Sequence, residues 1–146
     1  MKKIRDIMTS QVDVIEPSCT LKDAAKRMRD LNVGAVPVGE NDRLKGMVTD
    51  RDIAINAIAV GKDPNKTTVS EVMTGPIVYC FDDQDIEDAA RLMETKLIRR
   101  LAVLNRSKRF VGVVSLGDLA CKGGNEALAG EALEKISSSQ AKAIAA

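Results

Sequence analysis

The sequence predicts an α/β fold of the α+β type: two tandem β-α-β-β-α repeats followed by a C-terminal helical tail. Three observations predict it. First, a strand-to-helix corner occurs twice, as Gly46-Met47-Val48-Thr49-Asp50-Arg51-Asp52 and as Gly112-Val113-Val114-Ser115-Leu116-Gly117-Asp118. Second, other segments recur 65 residues on: Asp6-Ile7-Met8-Thr9 as Glu71-Val72-Met73-Thr74, and Ala24-Ala25-Lys26-Arg27-Met28 as Ala89-Ala90-Arg91-Leu92-Met93. Third, apolar spacing passes from strand to helix period in the same order in both copies, the signature of an internal repeat.

Each repeat opens with a short amphipathic lead-in ending at Met-Thr. A short strand follows, Val12–Ile15 in the first copy and Ile77–Cys80 in the second. Next comes a helix. Leu21, Ala24, Ala25, Met28 and Leu31 share one face by helical spacing, as do Ile86, Ala89, Ala90, Met93 and Leu97. Thr20 and Asp85 suit the N-cap, with Asp23 and Asp88 three residues on. Two strands joined by a tight turn come next, about 35–38 with 44–48, and 101–104 with 110–114. The offset grows by one residue across this turn, where an insertion is tolerated. The last helix begins after Thr49 or Ser115. In the first copy it carries Ile53, Ile55, Ala57, Ile58 and Ala59, apolar nearly all round, and is expected to be largely buried. The predicted divisions are repeat 1 over 1–62, a polar linker over 63–68, repeat 2 over 69–122, and a tail over 123–146. The tail has helical spacing (Leu128, Ala132, Leu133, Ile136) and is expected to fray after Ser137. It can pack on its own chain or on a partner.

Composition narrows the function. The chain has 146 residues, 45% hydrophobic but only 2% aromatic, so its core is aliphatic. Few aromatics and a formal charge of +1 argue against nucleic-acid binding, which uses ring platforms and a basic field. There is no histidine, the commonest general base and metal ligand. The three cysteines, Cys19, Cys80 and Cys121, are widely spaced and form no C-x-x-C pair, so neither a zinc site nor a disulfide framework is indicated. No nucleophile–base pair and no Gly-rich phosphate loop is present. The chain therefore reads as non-enzymatic, with no catalytic residue, no metal site and no required cofactor. No long apolar run or signal peptide is evident, which points to a cytoplasmic protein with no membrane partner.

Taken in order, Asp6-Ile7-Met8-Thr9, Asn32-Val33-Gly34-Ala35-Val36-Pro37-Val38 and Gly46 to Ile53 resemble a CBS domain, the motif named after cystathionine beta-synthase. The second copy, with Ile98-Arg99-Arg100-Leu101-Ala102-Val103 and Gly112 to Asp118, resembles another. Together they are similar to a tandem CBS pair, or Bateman module, in the manner of small stand-alone bacterial CBS proteins that lack a catalytic domain. The likeness spans about residues 4–121. Ala102, where the first copy has Pro37, is a departure from the family pattern. The resemblance implies two repeats packed sheet to sheet with pseudo-two-fold symmetry, clefts between them, and commonly a disc-like homodimer. It also implies an adenosine-containing ligand (AMP, ADP or ATP) and a protein partner that receives the signal.

Under that resemblance the corners gain chemical roles. Asp52 and Asp118 can accept hydrogen bonds from a ribose diol, and Thr49 and Ser115 can donate to a phosphate. In the family the adenine slot comes partly from the other repeat's first strand. Asp52 is therefore grouped with Ile77 and Val78, and Asp118 with Thr9, Val12 and Asp13. Arg99 and Arg100 replace Gly34 and Ala35, and Arg51 is matched by Gly117, so the two sites are chemically unequal; the Asp118 site is expected to hold phosphate better. Met8 and Met73 read as fillers rather than ligand contacts. The same Thr-x-x-Asp and Ser-x-x-Asp spacing is also that of a capping box, which by itself explains both pairs through about 0.5–2 kcal/mol of helix stabilisation each. The competing function is a ligand-free dimeric protein–protein interaction module.

Overall fold

The computed structural model describes residues 2–10, 12–41, 43–74 and 77–145, with side chains up to Ser138. The element order is α1 (Ile4–Ile7), α2 (Leu21–Leu31), β1 (Ala35–Glu40), β2 (Arg43–Thr49), α3 (Asp50–Ile53) running into a π-helical turn (Ala54–Ile58), a 3-10 turn (Val69–Glu71), β3 (Tyr79–Phe81), α4 (Ile86–Lys96), β4 (Arg100–Leu104), β5 (Phe110–Ser115), α5 (Leu116–Lys122) and α6 (Glu126–Ala145). This is the mixed α+β architecture expected, with two repeats and a helical C-terminal end.

The chain forms two compact units, residues 12–78 and residues 1–11 with 79–146. These are not the sequence repeats. Each unit takes its lead-in from the other repeat. In the unit over 12–78, the N–H of Thr74 bonds the Met47 carbonyl at 3.2 Å, and Val69 and Val72 join a core with Ile15, Leu21, Ala24, Val36, Val38, Val48 and Ala57. In the other unit, Thr9 exchanges two backbone bonds with Val113 (2.8 and 3.0 Å), and Ile4 and Ile7 are buried.

This crossing explains the glycine that opens each corner motif. A Cβ on Gly112 would lie 2.6 Å from the Thr9 carbonyl oxygen and 3.1 Å from the Met8 sulfur. A Cβ on Gly46 would lie 3.1 Å from both the Thr74 oxygen and the Met73 sulfur. The lead-in backbone passes so close that a side chain does not fit. Met8 and Met73 are half-buried and pack over these glycines, as fillers.

The helices α2 and α4 start where their caps place them. Thr20 Oγ1 accepts the Asp23 N–H at 3.2 Å, and Asp88 accepts the Asp85 N–H at 3.3 Å. Their apolar faces are narrower than the spacing suggests. Leu21, Ala24 and Met28 are buried on α2, but Ala25 and Leu31 are exposed; on α4 the buried face ends at Met93, and Leu97 is the left-handed C-cap (φ 56°). The hairpins pair as expected, β1 with β2 and β4 with β5, each with a register shift near its turn.

Two expectations are corrected. The first-copy strand over 12–15 is reduced to one parallel bridge, Ile15 with Val38. Ile15 donates to the Pro37 carbonyl (3.0 Å) and accepts from Gly39 (2.9 Å). One rung further back, the donor would be Pro37, which has no N–H. At the matching position the second copy has Ala102, and there β3 pairs with β4 in parallel over Tyr79–Phe81. That strand lies two residues later than predicted, leaving Ile77 and Val78 outside it. The second correction concerns the final helix of the first copy. Of 54–60 only Ala57 is buried, while Ile55, Ile58 and Val60 are 44%, 56% and 62% exposed. Apolar composition all round predicts burial only where something covers each face, and within this unit only one face is covered.

The tail packs on its own chain. Helix α6 lies against α4 and α5, burying Ala129, Ala132 and Ile136, and Lys135 pairs with Glu94 at 3.2 Å. Among the described residues no helix is long and apolar enough to cross a membrane.

Candidate functional site at the duplicated corners

Both corners close by the same two bonds. Thr49 and Ser115 are the last residues of β2 and β5 and the extended N-caps of α3 and α5. Thr49 Oγ1 accepts the Asp52 N–H at 3.0 Å, and Asp52 Oδ2 accepts the Thr49 N–H at 2.9 Å. Ser115 Oγ accepts the Asp118 N–H at 3.0 Å, and Asp118 Oδ2 accepts the Ser115 N–H at 2.9 Å. These are complete capping boxes, each satisfying two backbone donors. The capping role read from the spacing is therefore present at both corners.

The second carboxylate oxygens differ. The Thr74 hydroxyl donates to Asp52 Oδ1 at 3.1 Å. Asp118 Oδ1 lies 3.3 Å from the Lys122 ammonium, one turn along α5, and its side chain is only 14% exposed. Each oxygen of a carboxylate can accept twice, so neither acid is saturated, but both are held by their own chain. Sequence reasoning missed Thr74 and Lys122. The repeated Met-Thr ending of the lead-ins was the signal for the first, and the i,i+4 spacing from Asp118 for the second.

The remaining predicted residues divide between the units. Ile77 and Val78 are half-buried in the unit that holds Asp52, where Thr74 rather than either of them reaches the carboxylate. Val12 and Asp13 belong to that same unit; Asp13 is exposed and its carboxylate takes a 2.7 Å bond from Arg27. Thr9 belongs to the Asp118 unit and reaches β5 through its backbone. Arg51 is exposed on the first turn of α3.

Beside the second corner lies a hollow of about 620 Å³. Arg99, Arg100, Ser115 and Gly117 line one side, and Asp118 is not in its lining. Gly117 stands where the first corner has Arg51, so this corner leaves space that a side chain would take. Arg100 is half-buried and Arg99 exposed, and among the described residues neither has a carboxylate partner. Arg99 donates only a long bond, 3.4 Å, to the Ser137 hydroxyl. Two guanidiniums without a carboxylate partner among the described residues, beside a hydroxyl and an open space, can take a phosphate or carboxylate.

Away from the corners, burial pushes the Cys80 thiol up to about 12, with Asp88 adding to the effect. Bonding to Arg106 holds the Asp83 carboxyl below its ordinary range. Among the described residues no three His, Cys, Asp or Glu side chains gather into a group that could hold a metal.

Residues 4–57 and 69–122 each match the CBS domain family, which together is most of the chain. The chain belongs to the CBS domain family. This CBS pair is 44% identical over 137 residues to the CBS domain-containing protein YhcV of Bacillus subtilis, covering 94% of this chain and 96% of that protein. Its fold is similar to that of the CBS domain protein TA0289 of Thermoplasma acidophilum (TM-score 0.82, 26% identity, 92% of this chain and 75% of that one). It is also similar to the CBS domain pair of protein MJ0100, solved in complex with 5′-methylthioadenosine and S-adenosyl-L-methionine (TM-score 0.75, 26% identity, 85% and 97%). Pairs of this family are regulatory modules.

Proposed function

We propose that this CBS pair binds an adenosine-containing ligand and passes the binding on to a protein partner as a change of shape. The observation that carries the reading is the hollow at the second corner, with Arg99 and Arg100 beside Ser115 and, among the described residues, no carboxylate paired with either. The adenosine compounds bound by the MJ0100 pair support the ligand class. In this reading the guanidiniums take the anionic 5′ group and Ser115 donates to it. Asp118 lends its remaining acceptor capacity to ribose hydroxyls, with Thr9, bridged to Val113 of β5, beside it. The first corner, with Thr49, Arg51, Asp52, Ile77 and Val78, is the weaker binder, since Gly34 and Ala35 stand where the second copy has Arg99 and Arg100. Signalling requires the ligand to favour one of two arrangements, by whatever its affinity for them differs.

A thermal-shift panel of AMP, ADP, ATP, NAD and S-adenosylmethionine tests this. A ligand that binds only the folded chain raises Tm, by about 2.7 kcal/mol of stabilisation at a hundredfold excess over Kd. Arg100→Ala is expected to remove most of that shift, and Asp52→Ala little of it. A panel that moves nothing overturns the reading.

One observation favours the second function, an interaction module without ligand. Both aspartates are engaged by their own chain, and Leu31, Val33, Ile55, Ile58 and Val60 are each exposed in the unit over 12–78. Such apolar exposure suits a partner surface, a second copy of the chain included. The expected homodimer is checked by light scattering: Ile55→Glu with Ile58→Glu should yield a monomer that still melts cooperatively.

A further inference from the structure

The wall of the hollow opposite the arginines is helix α6. Glu126, Gly130 and Leu133 face the space, and Leu133 is 46% exposed although it is one of the larger apolar side chains of the helix. A Cβ on Gly130 would meet nothing within 4 Å. A glycine inside a helix lowers its stability, and here no packing requires one; its bare backbone faces the hollow. Helix α6 is docked along its described part on α4 and α5. Its described buried side chains are Ala129, Ala132 and Ile136, supplemented by the Lys135–Glu94 pair and the long Arg99–Ser137 bond.

We propose that α6 is part of the ligand site and that occupancy holds it in place. A small organic anion gripped by Arg99 and Arg100 rests its remaining surface on Gly130 and Leu133. Those contacts exist only while α6 lies against α4 and α5, so the ligand binds the docked state more tightly and shifts α6 towards it. Loss of the ligand loosens α6, which becomes the element a partner can read. This rests on the adenosine reading above for the identity of the anion, but the role of α6 is separate from it.

The experiment uses the full chain with AMP, ADP and ATP as probes, by calorimetry and amide hydrogen exchange. Gly130→Trp fills the hollow from a position where its Cβ clashes with nothing, and a cooperative urea transition of that variant without nucleotide checks its fold. Gly130→Trp is expected to weaken binding about tenfold or more, the equivalent of ~1.4 kcal/mol, while melting as cooperatively as wild type. Saturating nucleotide is expected to slow exchange across 126–136 in wild type and not in Gly130→Trp. Equal affinity of wild type and Gly130→Trp, or unchanged exchange in α6 on binding, overturns the role of α6 and leaves the nucleotide reading standing. No binding of any probe to wild type overturns both.

Discussion

The two corners have the same cap and different surroundings. Thr49 with Asp52 and Ser115 with Asp118 repeat the same bonds to within 0.1 Å. Yet Asp52 is met by the Thr74 hydroxyl and Asp118 by Lys122, and at the second Gly117, Arg99 and Arg100 open onto a hollow. The duplicated motif is therefore first a way of turning a strand into a helix. What makes one copy a candidate site is what stands next to it.

The largest expected contrast lies at the motif glycines. Gly112→Ala pushes a Cβ into the Thr9 backbone at 2.6 Å and should cost about 2–3 kcal/mol, whereas Gly46→Ala meets its neighbours at 3.1 Å and should cost about 1 kcal/mol. Urea denaturation of the two variants measures this, and equal losses would break the contrast. Next come the caps. Asp52→Ala and Asp118→Ala should each lose about 0.5–2 kcal/mol in the absence of any ligand. Only the Asp118 loss should shrink in about 1 M salt, which screens its pair with the half-exposed Lys122.

A smaller difference lies at the ends of α2 and α4. Asn32 and Leu97 hold the same left-handed conformation (φ 54° and 56°), which asparagine tolerates and leucine does not. Leu97→Asn should gain about 0.5–1 kcal/mol, seen as a higher Tm, and Asn32→Leu should lose a similar amount. The smallest effect at neutral pH is at Cys80, which takes the place of Ile15. Its thiol is raised from 9.0 to about 12, so the folded state keeps a proton that the unfolded state releases. Stability should fall as pH rises from 9 towards 12, and Cys80→Ala should flatten that slope. Iodoacetamide should label exposed Cys121 first and buried Cys80 last.

Much of the fold was legible because its signals are local. The caps Thr20, Asp85, Thr49 and Ser115 act within three residues, and the hairpin strands carry their own apolar runs. The parts that were not legible depend on what lies across the chain. Pro37 was visible as a difference from Ala102, but its effect on the strand over 12–15 depends on which carbonyl its missing N–H would have faced. The apolar run after Ile53 named a sticky segment without saying which sides are covered. Thr74 lies 22 residues from Asp52, so no spacing rule ties them together.

The sequence by itself determined the duplicated architecture, the helix starts and the aliphatic core, because propensity, capping and periodicity are properties of neighbouring residues. Only the tertiary structure decided that each lead-in completes the other repeat's unit, that Asp118 is held by Lys122, and that α6 and Arg100 enclose one space. Those outcomes turn on which surfaces exclude water together, and distance along the chain carries no record of that.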